Sequence, residues 1–128
     1  MAKLTPDDFR RIALDTEGAT ESSHMGHPDF RLNGRIFATL CYPDKDWGMV
    51  RLTPGEQQLF VIARPRMFAP AAGAWGAGGA TIVRLAEAHE PTLREAMALA
   101  WTHAAAARRS KRPPAAPRRP RPRSPRPK

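Results

Sequence analysis

Two histidines and a carboxylate stand within six residues, His24-x-x-His27-x-Asp29. Two imidazoles and one carboxylate are the donor atoms of a facial metal triad, and the same groups serve acid–base chemistry. On a turn entering a strand this spacing is not diagnostic of a metal, and no Cys pair supplies a further ligand, so no metal, cofactor or catalytic residue is assigned. The cluster also has a structural account, in which Asp29 caps a turn and the histidines donate to backbone carbonyls. In a third account His24, His27 and Asp29 form a surface for a small ligand or a protein. The reading leans to a non-enzymatic binding protein.

Other residues bear on that surface. Arg31, Arg35, Arg51 and Arg84 lie on or beside expected strands and are candidates to line one sheet face. Of the three tryptophans, Trp47 begins a strand and Trp101 sits on an apolar helix face, so both read as core. Trp75 is the one expected to be partly exposed, as an aromatic contact of the kind that stacks on bases. Gly73, Gly76, Gly78 and Gly79 match neither a P-loop nor a dinucleotide fingerprint and read as a turn packed around Trp75.

The elements that must position these groups follow from local chemistry. Asn33-Gly34 suits a two-residue type I′ turn, so residues 30–32 and 35–42 should pair as a hairpin. Its second strand carries apolar groups on both faces (Ile36, Ala38, Leu40; Phe37, Thr39, Cys41), as a covered central strand does. Thr5-Pro6-Asp7-Asp8 opens a first helix that should end near Thr16. Thr53 and Glu56 stand at capping-box spacing at the start of a helix running to about Ala63. Strands are expected over 21–25, 47–52 and 81–85, an exposed loop over 69–80, and a closing amphipathic helix from Pro91 with Leu93, Met97, Ala100, Trp101 and Ala104 on one face. The order α-β-β-β-β-α-β-α predicts an α+β fold with a mainly antiparallel sheet and about three helices.

Charge divides the chain. Residues 1–107 hold 11 Lys+Arg against 12 Asp+Glu, whereas residues 108–128 hold 10 Lys+Arg and no acid. The first part reads as the folded domain and is close to neutral. The second is an Arg/Pro-rich tail with no aromatic or branched aliphatic residue, which cannot offset its ordering entropy by burial and is expected to be disordered. Its cations, Arg108, Arg109, Lys111, Arg112, Arg118, Arg119, Arg121, Arg123, Arg126 and Lys128, suit DNA or another polyanion. The segment Arg119-Pro120-Arg121-Pro122 lacks the central Gly-Arg of minor-groove hooks, so little sequence discrimination is expected. A single cysteine, Cys41, excludes an internal disulfide and reads as a reduced, packed thiol. With no apolar run near the ~20 residues of a membrane span and no signal-peptide core, the chain reads as cytoplasmic.

The hairpin with its polar lead-in, Ser23 to Leu40, together with Pro70-Ala71-Ala72-Gly73-Ala74-Trp75-Gly76, resembles the MmcQ/YjbR family of small bacterial proteins. The likeness runs over roughly residues 5–103 and includes the opening F-R-R-I-A-L, the strand running into Thr53-Pro54, and the L-R-E-A and A-W of the closing helix. It implies a compact α/β fold and a DNA-binding role. The chain departs from the family pattern at Ala80, where a Trp usually precedes the Thr, and the resemblance does not extend to the tail.

Overall fold

The computed structural model of the protein describes residues 4–110. Helix α1 (Pro6–Leu14) leads into four strands, β1 (Thr20–His24), β2 (His27–Leu32), β3 (Arg35–Leu40) and β4 (Trp47–Arg51). Helix α2 (Pro54–Ala63), strand β5 (Phe68–Pro70), helix α3 (Gly73–Ala77), strand β6 (Ala80–Arg84), a 3₁₀ turn (Leu85–Glu87) and helix α4 (Glu90–Ser110) follow within the described residues. One six-stranded sheet runs in the order β1-β2-β3-β4-β6-β5, with every neighbour antiparallel. The α+β class and the antiparallel sheet are as the sequence predicts.

The caps and the hairpin form for the expected reasons. Thr5 and Thr53 both complete capping boxes, with Asp8 and Glu56 reaching back to the cap N–H. Asn33 and Gly34 both adopt positive φ, 53° and 87°, which is the backbone a type I′ turn demands. Pairing then sets Asp29 opposite Thr39 and Phe30 opposite Ala38, with a bulge between Phe30 and Arg31.

Strand alternation sorts the side chains onto two faces. Phe30, Ala38, Leu40, Val50 and Val83 fall on one face and are buried with Phe9 and Ile12 of α1 and Leu93, Met97 and Ala100 of α4. Phe60 of α2 reaches the same core through Phe68, ring centroids 5.2 Å apart. The other face presents Asp29, Thr39, Trp47, Met49, Arg51, Ile82 and Arg84, following the register. Among the described residues only α3 covers it, through Trp75 packed on a small cluster of Met49, Ala71 and Ala80 with Tyr42 and Ile82.

Three expectations are corrected. Residues 69–80 are not an exposed loop: they hold β5, α3 and the start of β6. Tertiary contacts make this order. Gly76 is buried so close to Ala71 that a β-carbon there would overlap the Ala71 carbonyl, and the Gln57 amide donates to the carbonyls of both Gly76 and Ala80 at 2.9 Å. Helix α1 ends at Leu14, earlier than Thr16, with Asp15 as its C-cap. At the other end α4 stays helical through Ser110, past the boundary expected at Ala107, because alanine and arginine are both strong helix formers. Arg108 and Arg109 thus lie in its last turn, while Lys111, Arg112, Arg118, Arg119, Arg121, Arg123, Arg126 and Lys128 lie outside the described residues.

Candidate functional site

The site is built on the face that the helices leave open. Hairpin β1–β2 places His24 directly across from His27, their rings 6.5 Å apart. Asp29, two residues further along β2, is wholly buried. It accepts from Arg31 Nε at 2.7 Å and from the other arm of that guanidinium at 3.0 Å. His24 Nδ1 donates to the same carboxylate at 2.7 Å. Fork-on-carboxylate geometry of this kind is the strong, charge-assisted form of the hydrogen bond. The hydrogen bonds from Arg31, with the smaller one from His24, hold the Asp29 carboxyl below the usual carboxylate range against the opposing effect of burial.

His27 is occupied differently. Its Nδ1 donates to the carbonyl of Cys41 at 2.8 Å, since a carbonyl can only accept. Cys41 has a left-handed φ of 61°, and the chain turns there so that Tyr42 comes over the open face. The His27 and Tyr42 rings meet edge to face at 5.8 Å, and Tyr42 and Trp75 do so at 5.2 Å. The Arg51 guanidinium closes the row, 5.9 Å from the Trp75 ring centre. A second couple stands lower on the same face, with the Arg84 guanidinium 4.5 Å from the ring of Trp47. Beneath the row, Thr39 Oγ1 is buried and has no hydrogen-bond partner among the described residues.

The sequence candidates separate accordingly. His24, His27, Arg31 and Trp75 come together on one face and are all half-buried. Asp29 belongs to the cluster but is not surface, because Arg31 and His24 close over it. Nor does it cap a turn, being a strand residue paired with Ser22 and Thr39. Arg35 lies apart: it pairs with Leu32, whose side chain joins the helix-side core. The four arginines therefore do not share one face; Arg31, Arg51 and Arg84 do. Trp47 is not core but half-buried on the open face, and Trp101 is half-buried with its indole N–H donating to the Glu17 carbonyl at 2.7 Å. Among the described residues no three His, Cys, Asp or Glu side chains are placed to hold a metal ion.

The sequence reading misses the part played by Trp47 and Tyr42, and that of Gln57 in anchoring the segment that carries Trp75. A signal existed for the first. Trp47, Met49 and Arg51 alternate with Gly48 and Val50, which separates the faces of β4, but only the β4–β6 register brings Arg84 beside Trp47.

The fold and its open face define an α+β protein with α1, α2 and α4 on one side of an antiparallel sheet and, beside the short α3, an aromatic, arginine-bearing surface on the other. The chain is similar in fold to Deinococcus radiodurans protein DR2400, whose crystal structure is described by the family-model domain DUF419. The two superpose with a TM-score of 0.63, covering 76% of this chain and 75% of that one at 16% sequence identity. At that identity the likeness is one of fold alone. No family model matches the chain, and no curated protein matches it. Among the described residues no helix is long and apolar enough to cross a membrane.

Proposed function

We propose that this chain is a DNA-binding protein of the MmcQ/YjbR type, in which the open sheet face contacts nucleic acid and the Arg/Pro-rich tail adds non-specific affinity. The observation that carries the reading is the charge of that face. Its strands bear Arg31, Arg51 and Arg84, and their one acid, Asp29, is buried and bonded to Arg31. Most other acids sit on or beside the helices, so a domain of nearly neutral composition still offers a cationic, aromatic surface. Guanidinium groups meet phosphates, and both guanidinium and aromatic planes stack on bases. The motifs from Ser23 to Leu40 and from Pro70 to Gly76 support the family reading, and the likeness in fold to DR2400 is compatible with it.

The test compares the full chain with one ending at Ala107, by fluorescence anisotropy on a mixed-sequence duplex at low and near-physiological salt. Loss of most binding at moderate salt on truncation is expected, with weaker binding retained at low salt. Unchanged affinity after truncation removes the tail from the proposal. No binding by the truncated chain at any salt removes the open face.

The alternative, a small-ligand or protein site at His24, His27 and Asp29, has less support because Asp29 is saturated by its neighbours. Its free groups are the Nε2 atoms of His24 and His27, neither of which makes a hydrogen bond to a described residue.

A further inference from the structure

Around the end of β4 from the open face lies a second concavity, an open cleft of about 310 Å³ whose lining includes Arg35, Arg51, Thr53, Gly78, His103 and Ala104. Two guanidinium groups converge on it from neighbouring strands, and both residues are exposed. Neither forms an ion pair with a described acid. The nearby carboxylate of Glu56 is already committed, accepting from the Thr53 N–H at 3.0 Å and from His103 Nε2 at 2.7 Å. The lining of the cleft thus holds two guanidinium groups and no acid, which is a setting for an anion.

Its position gives the anion a source. Arg51 stands on the ridge between cleft and open face, lining the one and lying over Trp75 on the other. On the far side the cleft is walled by α4, which ends at Ser110. At 1.5 Å per residue this end is ~9 Å beyond Ala104.

We infer that the cleft seats a phosphate group of the nucleic-acid backbone, held by Arg35 and Arg51 where a bound strand leaves the open face past Arg51. The inference rests on the reading of the open face as the nucleic-acid contact. Arg35 is its specific residue, because it lines the cleft and lies off the open face. Arg84 is the control, because it lies on the open face and does not line the cleft.

The test is a salt titration of oligonucleotide binding by the full-length protein and its Arg35→Ala, Arg35→Lys and Arg84→Ala variants. Each phosphate contact contributes about 0.9 to the slope of log K against log salt on duplex DNA. Arg35→Ala is expected to weaken binding several-fold and flatten the slope by about that amount, with Arg35→Lys restoring it. Should Arg35→Ala keep the parent slope while Arg84→Ala flattens it, the cleft holds no backbone phosphate and the open-face reading stands alone. If both variants keep the parent slope, the open-face reading falls too and the cleft inference falls with it. A parallel NMR titration with inorganic phosphate and a mononucleotide distinguishes the source. Shifts at the Thr53 and Gly78 amides with those small anions but not with oligonucleotide overturn the inference in favour of a free phosphorylated ligand.

Discussion

Arg31 grips Asp29 through two arms of its guanidinium, at 2.7 and 3.0 Å, although both residues project from the same strand two positions apart. Successive residues of one face lie ~6.6 Å apart along a strand, a span that the long arginine side chain crosses by folding back. The result converts the only strand-borne acid of the open face into a buried anchor. Asp29 orients Arg31 and His24 at once, and the face keeps its cationic character.

Replacing Asp29 by Ala should destabilise the domain by about 2 kcal/mol, since it leaves Arg31 and His24 without their shared acceptor in a half-buried setting. The pH dependence has a defined sign. A carboxyl whose folded pKa lies below its unfolded value of 3.8 contributes stability above that value and loses it as pH falls through the folded pKa. Urea denaturation from pH 6 down to pH 2.5 should show a loss beginning near pH 4, and the Asp29→Asn variant should show a shallower decline over that range. An equal decline in both proteins would place the acid sensitivity elsewhere.

Thr39 carries the opposite imbalance, a buried hydroxyl without a partner. Thr39→Val keeps the shape and removes the unsatisfied oxygen, so it is expected to raise stability by about 1 kcal/mol. A lower denaturation midpoint would mean that the hydroxyl does find a partner, such as an ordered water.

Gly76 fixes the segment that carries Trp75. A β-carbon there would overlap the Ala71 carbonyl, so Gly76→Ala must displace α3 and should cost about 3 kcal/mol. The same displacement should move Trp75 away from Tyr42 and Arg51. It would be seen as a change in tryptophan emission that Gly55→Ala, at a position with open space for a β-carbon, does not produce.

The tail sets the salt response of the whole chain. If ~6 of its cations meet phosphates, log K for duplex binding should fall with log salt with a slope near −5. Removal of residues 108–128 should leave a much flatter dependence, belonging to the domain. A full-length slope near −1 would mean that the tail stays off the phosphates.

The sequence by itself determined what depends on neighbours in the chain. Capping boxes at Thr5 and Thr53, the Asn33-Gly34 turn and the apolar spacing of α4 are local chemistry, and they place the starts of α1, α2 and the closing helix and the turn of the central hairpin, while the far ends of α1, the hairpin and α4 shift by two or three residues. The division between a neutral domain and a cationic tail is likewise a property of composition. Tertiary structure alone decided the rest. Helix α3 is five residues long and rich in glycine, too weak a helix by propensity to form unaided. It exists because Gln57 and Ala71 hold it. The same applies to the open face. Trp47 reads as a core residue, and Arg51 and Arg84 as two of four arginines whose common face is not fixed, until the β4–β6 register sets Arg84 across from Trp47. Registers are fixed by pairings between distant segments, and no local pattern in a single strand encodes which partner lies beside it.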